Sequence, residues 1–211
     1  MSLIVRQLLV GPLQNLVYII GDSDTRQALV VDPGWDPRGI QDQLATDNLT
    51  LAGLLVTHTH FDHINAVSTL LKAADVPVYV HKHEVGDLPI KPSSIKPIDP
   101  SSDIQLGAHR IQVLHTPGHT PGSVCFLLDD RLVTGDTLFV KACGRTDLPG
   151  GDPEKLYQSL DRIAKLDDQI VVYPGHDYGE TKTSTVGAEK RQNPFMQFRS
   201  PQAFVGFVRG Y

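Results

Sequence analysis

Leu51-Ala52-Gly53-Leu54-Leu55-Val56-Thr57 runs directly into His58-Thr59-His60-Phe61-Asp62-His63, a short apolar segment followed by three imidazoles and a carboxylate in six residues. Leu51 to Val56 is apolar apart from Gly53 and has the length of a buried strand. After the hexapeptide, Ile64, Val67, Leu70 and Leu71 recur at three- and four-residue spacing, the period of a helix with one buried face. The hexapeptide therefore spans a strand-to-helix connection, where side chains of one short segment can converge on a point. A neutral imidazole nitrogen and an ionised carboxylate are ligands for zinc, iron or manganese. With nine histidines in 211 residues, this density reads as a metal-binding loop.

One loop rarely completes a metal site, so further ligands are expected at other strand ends. His119 lies in Thr116-Pro117-Gly118-His119-Thr120-Pro121-Gly122, a turn between apolar strands. Asp136 follows the strand Arg131 to Thr134, and His176 follows Ile170 to Tyr173 in Pro174-Gly175-His176-Asp177-Tyr178. Gly or Pro beside each lets the backbone bend and aim the side chain. Singly, each is an ordinary turn residue; together with the hexapeptide they describe four loops meeting at one mouth.

The order His58-x-His60-x-Asp62-His63, His119, Asp136, His176 resembles the metallo-β-lactamase superfamily over nearly the whole chain. Thr134-Gly135-Asp136-Thr137-Leu138-Phe139, Pro174-Gly175-His176-Asp177-Tyr178 and Ser184-Thr185-Val186 leading to Asn193-Pro194-Phe195-Met196 are similar to its glyoxalase II branch, the hydroxyacylglutathione hydrolases. The resemblance implies two divalent ions, zinc first, with iron or manganese as alternatives. His58, His60, His119 and Asp136 would hold one, and Asp62, His63, Asp136 and His176 the other, with Asp136 shared. It implies an α/β fold, the αββα sandwich of two mixed sheets packed face to face with helices outside.

The pattern along the chain agrees with that fold. Strands are expected at 3–10, 16–20, 28–31, 51–56, 77–80, 111–114, 123–128, 131–134 and 170–173, and helices near 37–46, 63–74, 153–165, 185–192 and 201–208. Asp152 before Pro153 is a helix-start signal, a capping side chain followed by a residue with no N–H to orphan. Pro89, Pro92, Pro97 and Pro100 mark 89–103 as an exposed loop. The length and 40% hydrophobic content suit one domain over 1–211.

The formal charge of −5, with Lys and Arg scattered, argues against a nucleic-acid surface. No apolar stretch is long enough for a membrane span, and the N-terminus does not read as a signal peptide, so a cytoplasmic location is expected. Cys125 and Cys143 are expected as free thiols, Cys125 in the core. Asp32, in Val31-Asp32-Pro33-Gly34, is either a carboxylate behind a metal-bound His ring or an ordinary turn residue. Trp35 either lines the entrance or covers the core edge. His81 and His83, at i and i+2 after the strand Val78 to Val80, could form a surface metal site, but a solvated strand end is the preferred reading. His115 suits support or packing, and His109 an exposed hairpin turn.

Two adjacent divalent ions lower the pKa of a shared water toward neutrality, and the hydroxide so formed would attack the carbonyl carbon of an acyl thiol, with Asp62 orienting it. The expected enzyme is thus a binuclear metal-dependent thioester hydrolase acting on a small molecule like S-lactoylglutathione. By resemblance Arg145, in Cys143-Gly144-Arg145, would clamp the glycine carboxylate of glutathione and Tyr178 would contact the same carrier. The chain departs from glyoxalase II in having Thr146-Asp147 after Arg145 and no helical insertion between Tyr178 and Ser184. Cys143-Gly144-Arg145-Thr146-Asp147 resembles the persulfide dioxygenases, in which His58, His119 and Asp136 would hold a single iron. Leu148-Pro149-Gly150-Gly151 and the compact length favour the hydrolase.

Overall fold

The structure, a computed structural model, describes residues 2–210. Its first half comprises Leu3–Val10 (β1), Asn15–Asp22 (β2), Gln27–Val31 (β3), Pro37–Thr46 (α1), Thr50–Val56 (β4), Phe61–Ile64 (α2), Val67–Ala73 (α3), Val78–His81 (β5) and Ile95–Ile98 (β6). These strands form a sheet in the order β1-β2-β3-β4-β5-β6, antiparallel up to β3 and parallel from β3 to β6. The change of sense follows the connections: tight turns join β1 to β3, whereas α1 and then α2 and α3 carry the chain back across the sheet.

The second half comprises Ile104–Leu106 (β7), His109–His115 (β8), Val124–Leu128 (β9), Arg131–Gly135 (β10), Leu138–Phe139 (β11), Ala142–Cys143 (β12), Pro153–Ile163 (α4), Val171–Pro174 (β13), Ser184–Thr185 (β14), Val186–Gln192 (α5) and Pro201–Arg209 (α6). The second sheet runs β14-β13-β10-β9-β8-β7, with β10 and β13 parallel across α4. Asp152 caps α4 as expected, accepting from the Glu154 and Lys155 amides.

Strand alternation separates the apolar residues into three layers. Val17, Ile19, Val30, Leu54 and Val56 face α1 and α3 and pack on Ile40, Leu44, Val67 and Leu70. The opposite face, with Leu16, Tyr18, Ile20 and Val31, meets Val113, Phe126 and Val133 of the second sheet. Leu114, Cys125, Leu132 and Val172 point outward onto Leu156, Leu160, Val186 and Phe204 of α4, α5 and α6. Three apolar layers between four tiers of structure make an αββα sandwich.

Three expectations need correction. Residues 89–103 are not only loop: β6 pairs with β5, and Ile98 is buried in the inter-sheet core. Pro97 hid this strand, yet β6 is an edge strand, where a missing N–H is tolerated. The helix expected at 63–74 is two, α2 and α3, broken where the Ala66 amide donates to Pro33 O and Asn65 Oδ1 accepts from the Trp35 amide at 2.5 Å. His109 begins β8 half-buried, 3.0 Å from Asp129 and 3.6 Å from Asp22.

The sheets are fastened together at one rim. The Val124 amide donates to Thr57 O at 2.9 Å, and Leu16 N to Gly175 O at 2.8 Å. Gly175 N donates in turn to Gly135 O at 2.9 Å. The loops after β4, β8, β10 and β13 all leave from this rim, so the fold brings together residues far apart in sequence.

Candidate metal centre

His58 is fully buried at the end of β4; His60 is half-buried just before α2, and Asp62 and His63 lie on its single turn. His119, Asp136 and His176 enter from the β8–β9, β10–β11 and β13–β14 connections. Gly135, at φ 47°, turns the chain so that Asp136 faces the rim; a Cβ there would collide with Thr57 Oγ1.

Seven donors gather in two groups. His58, His60 and His119 offer atoms within 4.8 Å of one another, as do Asp62, His63 and His176. Asp136 lies between them: Oδ2 is 3.5 Å from His119 Nε2 and 3.3 Å from His176 Nε2, while Oδ1 is 3.3 Å from His63 Nε2. Asp62 Oδ2 is 3.5 Å from both His63 Nε2 and His176 Nε2. The seven side chains expected as ligands are thus brought together, with the Asp136 carboxylate between the two groups.

Whether these residues suit cations is decided by what their polar atoms otherwise meet. His58 Nε2 and Asp136 Oδ1 are buried with no hydrogen-bond partner. His60 Nδ1 faces His119 Nε2 at 2.9 Å, and His63 Nε2 faces His176 Nε2 at 3.2 Å. Two ring nitrogens with lone pairs turned together repel, unless a proton or a cation lies between them. Ligands about 2.0–2.1 Å from a tetrahedral zinc stand roughly 3.3–3.4 Å apart, close to the spacings here. The donor set fits divalent cations.

The backs of the rings are tied down, as oriented metal ligands require. His63 Nδ1 is 3.0 Å from Asp32 Oδ2, His119 Nδ1 is 2.7 Å from Arg145 O, His176 Nδ1 is 2.8 Å from Leu13 O, and His58 Nδ1 is 3.0 Å from Thr57 Oγ1. Asp32 also accepts from the Thr57 amide at 2.7 Å and its hydroxyl at 2.6 Å, and its φ of 50° puts it in the left-handed region that Asp tolerates. It stands behind His63 as the first of the two sequence alternatives supposed.

The electrostatics follow the same division. Burial pushes His58 well below its usual range, with His63 adding to the effect. His63 is buried too, but Asp136, Asp32 and Asp62 outweigh that and raise it to about 9. Burial alone would raise the Asp136 carboxyl, yet His63, His176 and His58 hold it well below the ordinary carboxylate range.

Sequence reasoning missed three supports. Glu84, buried after β5, accepts from the Thr59 amide (3.0 Å) and hydroxyl, from Thr120 Oγ1 (2.6 Å) and from the Gly122 amide (2.8 Å). It thereby ties the hexapeptide loop to the His119 loop. Asn15 Nδ2 donates to Asp62 Oδ2 at 2.8 Å, and Trp35 Nε1 fixes Asn15 by donating to its Oδ1 at 2.8 Å. These partners are 20 to 47 residues apart in sequence, so no local pattern signals them.

The two substrate residues are placed differently. Tyr178 stacks on His176, with ring centroids 4.7 Å apart and planes at 9°. Arg145 lines an open cleft of about 680 Å³ with Cys143, Thr146, Asp147 and Phe195. Its fork is not free for an incoming carboxylate: Nε and Nη2 each donate at 2.6 Å to Asp147, both residues being exposed. Cys143 and Cys125 are free, and burial pushes the Cys143 thiol up to about 12. Among the described residues no helix is long and apolar enough to cross a membrane.

Comparison with known proteins bears on the same residues. The probable polyketide biosynthesis zinc-dependent hydrolase PksB of Bacillus subtilis is 34% identical over 194 residues, covering 92% of this chain and 86% of that protein. The crystal structure of ETHE1 from Myxococcus xanthus superposes with a TM-score of 0.89 at 35% identity, covering 98% of this chain and 90% of that one. The di-iron-bound form of TTHA1623 gives 0.79 at 34% identity, over 90% and 100%. The metallo-β-lactamase superfamily profile matches residues 10–176, which takes in every one of the seven donors, and the chain belongs to that superfamily.

Proposed function

We propose that the protein is a binuclear metal-dependent hydrolase of small acyl thiols, with a thioester of the S-lactoylglutathione type as the first substrate to try. The observation that carries the reading is the place of Asp136 between two groups of donors whose ring nitrogens face one another. Cations bound there would supply an activated water and a Lewis acid for the carbonyl oxygen. His58, His60, His119 and Asp136 are assigned to one, and Asp62, His63, His176 and Asp136 to the other.

The chain's own residues do the positioning. Asn15 Nδ2 occupies one lobe of Asp62 Oδ2, so that the carboxylate keeps one orientation toward the water it would hold. Three of the exposed large apolar side chains, Leu13, Phe61 and Tyr178, belong to segments that hold the ligands. Trp35 meets Phe61 edge-on at 6.0 Å. Such a rim favours an acyl group over a charged polymer. On the Arg145 side, a carrier carboxylate would exchange with Asp147 for the guanidinium.

A second reading, a mononuclear iron persulfide dioxygenase, is favoured by Cys143-Gly144-Arg145-Thr146-Asp147 and by the likeness to ETHE1. Two measurements on one preparation separate the readings: metal per chain, and S-lactoylglutathione hydrolysis against oxygen uptake with glutathione persulfide. Near two ions with thioester hydrolysis supports the hydrolase. One iron with oxygen uptake and no hydrolysis would overturn it.

A further inference from the structure

A third group of metal-ligating side chains stands outside the seven-donor centre. His81 ends β5, His83 follows it by two residues and His115 ends β8, so the pairing comes from two different sheets. Each offers a ring nitrogen within 4.8 Å of the others. His81 and His115 stack with centroids 4.2 Å apart and planes at 11°, while His83 stands nearly perpendicular to both at 4.8 Å and 5.9 Å. The sequence reading of His81 as a solvated strand end does not hold, because its side chain is only 1% exposed.

We propose that His81, His83 and His115 form a separate binding site for a borderline divalent transition-metal ion. Three imidazoles select zinc, nickel or copper(II) rather than magnesium or calcium. His115 Nε2 donates to Pro121 O at 3.0 Å, which leaves Nδ1 as the lone-pair nitrogen and fixes the ring as carbonyl-bonded ligands usually are. The His83 amide reaches His81 Nδ1 only at 3.4 Å, a bond weak enough to yield if that ring takes the other tautomer. Burial, then His115 and His83, push His81 down to about 4, so it stays in the neutral form that coordinates.

The three rings lie on an open cleft of about 430 Å³ that also contains Lys82, Asp99 and Ser101. Zinc at about 2.0–2.1 Å from each nitrogen needs them roughly 3.3–3.4 Å apart. His83, exposed and on a loop, is the ring free to close that gap. The fourth position opens on the cleft, where water or the Asp99 carboxylate completes the shell. Lys82, 3.7 Å from Asp99, opposes a cation there and must swing into solvent.

Isothermal titration of zinc into the enzyme already loaded at its principal centre tests this directly. One further equivalent should bind with micromolar affinity. His83→Ala should weaken that event about ten-fold or more. The variant should keep its melting temperature and its turnover in the absence of added zinc. His115→Gln should abolish the event; if it fails to fold, His83→Ala decides alone. No further uptake by the loaded protein, or uptake unchanged in His83→Ala, would overturn the proposal. Either result leaves the assignment of the principal centre standing.

Discussion

Glu84→Gln is the substitution that separates a clamping carboxylate from a merely buried one. The wild-type carboxylate accepts four hydrogen bonds, two of them from backbone amides. A glutamine keeps the shape but replaces one acceptor oxygen by an NH₂ donor. Whichever way the amide turns, its NH₂ faces either Thr59 or the Thr120 and Gly122 pair, so at least one backbone N–H is left facing another donor. An unsatisfied buried donor costs about 1–3 kcal/mol, and loss of the charged bonds adds to this, so the expected loss is about 2–4 kcal/mol. For a chain of this size that lowers the melting temperature by roughly 4–16 °C. Because Glu84 joins the two loops that carry His58, His60 and His119, metal affinity should fall with stability.

Thermal melts by circular dichroism across pH provide the assay. Burial would raise the Glu84 carboxyl, but bonds from Thr120, Thr59 and Gly122 outweigh it and lower the pKa below its ordinary value of 4.5. A carboxyl lowered on folding contributes stability that is fully present above its unfolded value and is lost as pH falls through the folded one. The gap between wild type and Glu84→Gln should therefore be constant from neutral pH to about pH 5 and shrink below about 4.5. A melting point within about 2 °C of wild type at neutral pH would refute the clamp.

Asp136→Asn should cost most of the bound metal and well over about 10²-fold in turnover, because an amide cannot compensate two cations; near-normal metal content by elemental analysis would remove its shared role. Arg145→Ala should raise KM for S-lactoylglutathione about ten-fold with little change in kcat, and Asp147→Asn should lower KM by freeing the fork; level KM values in both would leave the pair a surface brace. Cys143, with its thiol pushed up to about 12, should resist alkylation at pH 8, and Cys143→Ala should keep its turnover. Fast modification with loss of activity would contradict this.

The candidate ligand cluster was legible because its information is local. His58 to His63 lie within six residues, and His119, Asp136 and His176 each follow an apolar run and sit beside a turn former. The layers were legible for the same reason, since strands buried on both faces, such as β2, read as continuous apolar runs. β6 was not, because Pro97 mimics a loop until the strand's place at the sheet edge is known. Nor was the break between α2 and α3, which is set by Pro33 and Trp35, 33 and 30 residues before their partners.

The residues hardest to read act across the fold. Asn15, Glu84 and the Leu13 carbonyl have ordinary surroundings in sequence: Asn15 reaches Asp62 only once β2 lies beside the β4–α2 connection, and Glu84 and Leu13 reach the His119 loop and His176 only after the two sheets have packed. Arg145 illustrates the converse: its local motif suggests an anion clamp, but Asp147, two residues on, occupies the fork. His81 and His115 combine both cases, since each looks like a strand-end histidine and only the packing of β5 near β8 stacks them at 4.2 Å. Local spacing therefore predicts which side chains can bind a metal ion. Which of them are held still, and by what, is decided by contacts that exist only in the folded chain.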